Sequence, residues 1–520
     1  MSSRNFPQPP MTRRGFLALG TGIATAAALA ACSNNSSSSP TLVQPDSEAV
    51  EAAENARRAA DAQVHQVALR AAPTTIDLGG VQVQTWSYDG NLPGREIRLT
   101  RGQVLRADLT NTLPAPTTIH WHGIALRNNM DGMVDLTQAP IAPNGGTFRY
   151  EFTVPDAGTY FFHPHVGVQL DRGLYAPLII EDPSDGKDYD LEAVVVLDDW
   201  LDGVNGRNPD QELKQLQDKG MAGMGGMSSS GMDHGTMPGM SLGNSTPTDP
   251  NAPLGSDTGD VKDYPYYLIN GRIGADPVTF SGKPRQRMRL RIINAGGDTA
   301  FRLAVGGHQM RVTHSDGYPV QPVTTSSLLL GMGERYDVVV DLADGVFPLV
   351  ASAEGKAGQG FALIRTGGGN PPPADVRPAE LSAPPLTADR LVAVDAVRLP
   401  KRAPDKTLDV FLGQDMNKYV WTINGKAYPD HTPLDITQGQ RVRLRFVNQT
   451  MMWHPMHLHG HTFQVVNATG TGPRKDTSIV LPMQTVEVDV QADNPGQWML
   501  HCHNVYHGEA GMMTVLSYVQ

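Results

Sequence analysis

One strand pattern occurs three times in this chain, and that repetition limits the fold more than any other feature. Gly102-Gln103 runs through Val104, Leu105, Ala107 and Leu109 to Asn111. Gln286 runs through Met288, Leu290 and Ile292 to Asn294, and Gly439-Gln440 through Val442, Leu444, Phe446 and Val447 to Asn448. Alternation of apolar with charged residues predicts a half-buried strand in each copy, its Arg side chains outward. A second alternating stretch follows each copy, at Phe148 to Val154, Tyr336 to Leu342 and Val486 to Val490. Each leads through Gly158, Gly345 or Gly496 to another apolar strand. A recurring unit with its own turns is a supersecondary block used in tandem. The expectation is an all-β chain of three Greek-key β-sandwiches, over roughly 73–185, 186–366 and 386–520, since a chain this long exceeds one core. Pro371, Pro372 and Pro373 mark a linker over about 367–385. The Ala-, Glu- and Arg-rich stretch of about 47–70 predicts a surface helix ahead of the first sandwich.

The first residues read as an address. Thr12-Arg13-Arg14-Gly15-Phe16-Leu17 resembles a twin-arginine export signal, and the apolar run from Leu17 to Ala31 is too short for a comfortable membrane span. Leu29-Ala30-Ala31-Cys32 resembles a bacterial lipobox. The expectation is removal of residues 1–31, a lipid on Cys32, a Ser/Asn-rich tether from Ser33 to Ser39, and residence on the outer face of the bacterial cytoplasmic membrane. An ordinary cleaved signal is the alternative. The net charge of −11 argues against a nucleic-acid partner. A monomer is the expectation. Only one other cysteine exists, Cys502, so a lipidated Cys32 leaves no intramolecular disulfide. Cys502 is then an inert buried residue, a nucleophile or a metal ligand.

Its neighbours are His501 and His503, and the histidines follow the repeat. His120 lies as far beyond Asn111 as His457 beyond Asn448, and His163 as far beyond Gly158 as His501 beyond Gly496. The matching middle position is Leu303, so the first and third units are expected to bear metal and the second to be structural. Four clusters result: His120-Trp121-His122-Gly123, His163-Pro164-His165, His454-Pro455-Met456-His457-Leu458-His459, and His501-Cys502-His503 continuing to His507 and Met512. Residues two apart on a strand share a face, so each His-X-His pair sends two imidazoles one way and the residue between them the other. Cys502 therefore faces away from the site of His501 and His503, though joined to it by a short backbone. The opposite-facing residues His454, Cys502, His507 and Met512 make the two-histidine, one-thiolate, weak-thioether set of blue copper. Zinc, the rival for His/Cys clusters, explains neither the methionine nor the eight remaining histidines. Two of these from each of four segments can hold three copper ions.

These clusters resemble the four copper-binding signatures of the multicopper oxidase family, which includes laccases and bacterial copper-tolerance oxidases. The likeness runs from about residue 75 to the end of the chain. It implies three cupredoxin-like domains and four copper ions. It also implies a type 1 copper at the blue site, and His120 and His457 on the type 2 copper. His122, His163 and His503 would hold one type 3 copper, and His165, His459 and His501 the other. It implies that single electrons pass from a reductant to the type 1 copper through an exposed edge of His454 or His507. They then cross Cys502 to His501 or His503, and dioxygen leaves as water. Asp131 matches by spacing an acid that the family uses in proton delivery. Some relatives carry an acid directly after the last type 1 histidine; here Gly508 stands there and Glu509 follows. The histidines His65, His234, His308, His314, His431 and His461 are expected to be structural.

The reductant is set by the surface over the type 1 site. Met221, Met224, Met227, Met232, Met237 and Met240 lie in a Gly/Ser-rich stretch without apolar periodicity, with His234 among them. Thioethers in such a stretch suit Cu(I), and Met451 and Met452 could extend a soft path to His454. Two features depart from the cuprous oxidases. The insert belongs to the second unit, and Thr450 stands where those relatives place a carboxylate. A Cu(I) oxidase is the first expectation, a laccase-like oxidase of phenols and aromatic amines the second, and a copper-sequestering protein the non-enzymatic alternative.

Overall fold

The computed structural model describes residues 40–184, 186, 188–220 and 252–520. The signal, Cys32 and its tether, His234, and the six methionines from Met221 to Met240 lie outside the described residues. Residues Thr41–Gln520 form one compact unit made of three β-sandwiches.

The repeated strand organises each sandwich identically. Val104–Asn111, Arg287–Asn294 and Arg441–Asn448 each lie between a parallel neighbour from earlier in the chain and an antiparallel neighbour from later. The parallel partners are Val64–Asp77, Leu191–Trp200 and Lys406–Gln414. The antiparallel partners are Gly146–Thr153, Arg335–Asp341 and Thr485–Gln491. The apolar faces close over a core that includes Trp121, Trp453 and Trp498. The terminal asparagine has the same task each time. Asn111 donates to the carbonyls of Ala115, Ile141 and Ala142, and accepts from Leu113 N. Asn294 donates to Thr299 and Leu330 and accepts from Gly296 N. Asn448 donates to Met452, Val480 and Leu481 and accepts from Thr450 N. An amide that both donates and accepts satisfies a buried turn that no apolar side chain could.

Two expectations are corrected. The N-terminal helix is only Glu48–Arg57, and Val64 to Arg70 already belong to the first strand. Alternate residues there turn inward, and parallel pairing of Val64 with Val104 outweighs the helical composition. The first sandwich thus begins before residue 73. The arginines of the middle strand do not point into solvent. Arg289 and Arg291 are buried against Asp337, because Thr159 of the first sandwich covers that face and bonds both Asp337 and Arg291. Arg443 and Arg445 of the third sandwich stay partly exposed and pair with Asp489, Glu487 and Asp409. The first and third sandwiches meet directly: Asn128 and the backbone of Gln497 exchange bonds of 2.7 and 2.9 Å.

Candidate metal centres

Strand register puts the histidines face to face. His120 lies opposite His163 on antiparallel neighbours of the first sandwich, and His457 opposite His501 in the third. The middle sandwich has Leu303 opposite Ala351 at that place. The two histidine-bearing faces converge. His120 Nε2 and His457 Nε2 are 3.4 Å apart. His165 Nε2 and His459 Nε2 lie 3.3 and 3.1 Å from His501 Nε2. The ring of His503 sits 4.9 Å from that of His122 and 5.2 Å from that of His163. His122 Nδ1, His163 Nε2 and both nitrogens of His503 are buried without a hydrogen-bond partner.

The surrounding acceptors fix the tautomers. The Nδ1 atoms of His120, His163, His457 and His501 meet the carbonyls of Asp131, Pro164, Asp476 and Cys502 at 2.8–3.0 Å. A carbonyl only accepts, so Nδ1 carries the proton and Nε2 turns a lone pair inward. Burial and then the neighbouring imidazoles hold His163, His165, His459 and His503 well below the ordinary imidazole pKa. Neutral lone pairs facing one another with no proton between them repel, and bound cations remove the conflict. The residues therefore fit metal ions.

The second constellation lies on the other face of the same strand. Cys502 Sγ is 3.7 Å from His454 Nδ1 and 3.5 Å from His507 Nδ1, and those two nitrogens are 3.1 Å apart. Met512 is buried, and its carbonyl accepts from Cys502 N at 3.1 Å. Asn504 caps the short helix Val505–Glu509, accepting from Tyr506 N and His507 N, and so presents His507 to the thiol. Thiolate, two imidazoles and a thioether suit copper.

Family models described as multicopper oxidase match residues 71–185, 192–369 and 401–520. The multicopper oxidase MmcO of Mycobacterium tuberculosis is 48% identical over 519 residues, covering 100% of this chain and 99% of that one. This chain belongs to the multicopper oxidase family. The oxidase is also 28% identical to copper resistance protein A of Escherichia coli, over 87% of this chain and 92% of that one. Among solved structures it resembles a multi-copper oxidase from Pseudomonas thermotolerans, with a TM-score of 0.65, 26% identity, and coverage of 88% and 100%.

The surroundings of the ligands refine the sequence reading of the oxidase. Asp131 is buried between two sandwiches, with its Oδ2 2.8 Å from His459 Nδ1 and its Oδ1 3.2 Å from His120 Nδ1. Glu509 borders a cavity of about 30 Å³ together with His163, His165, His501 and His503, and burial pushes its pKa up to about 7. The expected exposed edge of His454 or His507 is absent. Both rings are fully buried, because Thr450 Oγ1 lies 2.9 Å from His454 Nε2, and Asp260 Oδ2 3.0 Å from His507 Nε2. Trp421 packs over His507 at 4.1 Å, and Tyr419 donates to Asp260. Burial would lower the His507 pKa, but Asp260 and then Cys502 overcome it and raise it to about 10. Met452 is only 3% exposed, so of the two adjacent methionines it is Met451, 65% exposed, that meets solvent. His308 and His461 are buried and hydrogen-bonded. His308 holds Gly306 O and Ala343 N, and His461 holds His459 O and Tyr518. His65, His314 and His431 are half-buried away from both centres.

Sequence reasoning missed Asp260, Arg335 and Asp476. Asp476 Oδ1 lies 3.1 Å from His122 Nε2, and Arg335 of the middle sandwich holds both carboxylate oxygens at 2.7 Å. A burial-dependent charge has no periodic signature. Lys475 and Asp476 are fully buried, and nothing in the local run Arg474-Lys475-Asp476 marks them so.

Proposed function

We propose that this oxidase holds four copper ions and couples four one-electron oxidations of Cu(I) to the reduction of dioxygen to water. The type 1 ion would sit among His454, Cys502, His507 and Met512, and the type 2 ion at His120 and His457. The type 3 pair would sit at His122, His163 and His503 and at His165, His459 and His501. Copper, when bound, supplies the one-electron steps and the oxygen chemistry. The protein supplies the path and the protons. Asp260 and Trp421 cover His507, so a reductant does not rest on the imidazole itself. Cys502 joins the two sites through its own backbone, and its carbonyl accepts from His501 Nδ1 at 2.8 Å. Asp131, beside His459, and Glu509, beside the small cavity, are the carboxyl groups placed to hand protons inward.

The observation that carries the Cu(I) reading is the position of the described flanks of the Met-rich segment. Gly220 lies against Asn417, next to Met416, which is 71% exposed. On the other side Asp257 bridges to Met452, and Asp260 reaches His507. The described residues on either side of the insert thus lie near residues 416–421 and 452, where the thioethers of Met416 and Met451 are exposed. Soft thioether sulfur suits a cuprous ion. Replacing Met221, Met224, Met227, Met232, Met237 and Met240 by leucine tests the reading. Cu(I) oxidation is expected to show a raised KM with phenol oxidation unchanged. Unaltered Cu(I) kinetics would favour the laccase-like oxidation of phenols and aromatic amines. Export by the twin-arginine route and a lipid anchor at Cys32 complete the proposal. The test is membrane fractionation of Cys32→Ser, which is expected to leave the processed enzyme soluble outside the cytoplasmic membrane.

A further inference from the structure

The middle sandwich supplies no ligand among the described residues, yet one of its loops reaches the histidine cluster. Gly333 has φ +82°, and a Cβ there would stand 2.9–3.0 Å from the rings of His503 and His122. Two residues on, the fully buried Arg335 donates to Thr159 O of the first sandwich and to its own Gly333 O, and makes a two-pronged bond to Asp476 of the third. All three sandwiches therefore meet at one guanidinium. Gly123, which ends the His-Trp-His-Gly cluster, packs against it too: a Cβ would come within 2.5 Å of Arg335 and 2.6 Å of Asp476.

The far side of Asp476 holds copper ligands. Its Oδ1 meets His122 Nε2 at 3.1 Å and His457 Nδ1 at 3.4 Å. Its backbone carbonyl accepts from His457 Nδ1, and Thr477 Oγ1 lies within 3.3 Å of both rings. A carboxylate on His122 Nε2 keeps the proton there and leaves Nδ1, buried and unpartnered, as the inward lone pair. His120, His163, His457 and His501 are held the opposite way, by carbonyls on Nδ1. The carboxylate can hold that ring only while its own position and charge are fixed, and Arg335 fixes both. The planar fork grips both oxygens, which a lysine cannot do.

We propose that Arg335 is a positioning residue for the three-copper cluster: through Asp476 it orients His122 and His457 and selects the nitrogen that His122 offers. The middle sandwich is then part of the oxygen-reducing site. This rests on the copper assignment above; wild-type protein lacking a type 2 copper signal would break that assignment before any variant is made.

The test uses copper-loaded full-length protein and two variants. Arg335→Lys keeps the charge and loses the fork. Arg335→Met combined with Asp476→Asn removes both charges and leaves neither unpaired. In both, the blue absorption is expected to stay at wild-type position and intensity, since Arg335 and Asp476 bond to each other and to His122 and His457, not to a ligand of the blue site. The type 2 EPR hyperfine pattern and the near-ultraviolet absorption of the type 3 pair are expected to change. Turnover is expected to fall on the order of 10- to 100-fold. Wild-type type 2 and type 3 spectra and turnover in Arg335→Lys would overturn the proposal. So would recovery of those spectra in the double variant, because the pair would then be only a neutralised charge. Loss of the type 1 signal together with the others in both variants would also overturn it, by showing that the pair holds the fold rather than the site.

Discussion

Replacing Asp260 by asparagine removes one negative charge from the blue site without changing the side chain's shape. The carboxylate lies 3.0 Å from His507 Nε2 and is mostly buried, with Tyr419 on its other side. The nitrogen that would ligate, His507 Nδ1, is across the imidazole ring, so the charge would act on copper over roughly 7 Å, which at an effective dielectric of about 20 is worth about 2 kcal/mol. A negative charge favours the more positive, oxidised metal, so its loss makes reduction easier. For a one-electron couple about 2 kcal/mol corresponds to a rise of ~100 mV. The assay is a redox titration followed by the blue absorption, whose intensity is expected to persist because no ligand has changed. Steady-state oxidation gives the second readout. Capture of cationic Cu(I) is expected to weaken through KM, whereas a neutral phenol gains driving force. An unchanged or lowered potential would refute the claim that Asp260 acts on the copper through His507.

Other outcomes follow from the same geometry. Met512→Leu removes a weak axial donor and is expected to raise the type 1 potential while the site stays blue; a fall on redox titration would show that Met512 is not the axial group. Asp337 is buried with Arg289 and Arg291, and after the opposing cost of burial those cations hold its pKa below the ordinary carboxylate value. Its stabilising contribution is therefore present above the unfolded carboxylate pKa of about 3.9 and lost as pH falls from there through the folded value. Asp337→Asn takes the carboxylate partner from Arg289, while Arg291 keeps Glu192, and is expected to cost about 3–5 kcal/mol at neutral pH, with a flattened acid limb of Tm against pH; a variant with wild-type Tm near neutrality would contradict this.

The parts of the molecule that repeat are legible in the order of residues alone. Asn111, Asn294 and Asn448 announce three sandwiches because each must satisfy the same buried turn. The histidines follow because strand register carries a fixed offset from that turn to His120 and His457. Chemistry that depends on contact between sandwiches is not legible there. Arg289 and Arg291 read as solvent-facing because nothing local reveals that Thr159 covers them. Arg335 and Asp476 are 141 residues apart, and their pairing exists only after three domains close. The helix expected over about 47–70 stops at Arg57, because pairing with Val104–Asn111 rather than local composition decides Val64 to Arg70.

The central claim is that electrons taken at one centre reduce dioxygen at the other, and Cys502 is the residue shared by both. Oxygen uptake by copper-loaded protein, supplied with a one-electron reductant and followed for peroxide, tests this directly. Wild-type enzyme is expected to consume one dioxygen for every four electrons and release no peroxide. Cys502→Ser is expected to lose the blue absorption and the uptake together while keeping type 2 and type 3 copper. A Cys502→Ser protein that stayed blue, or that consumed oxygen at the wild-type rate, would contradict the account.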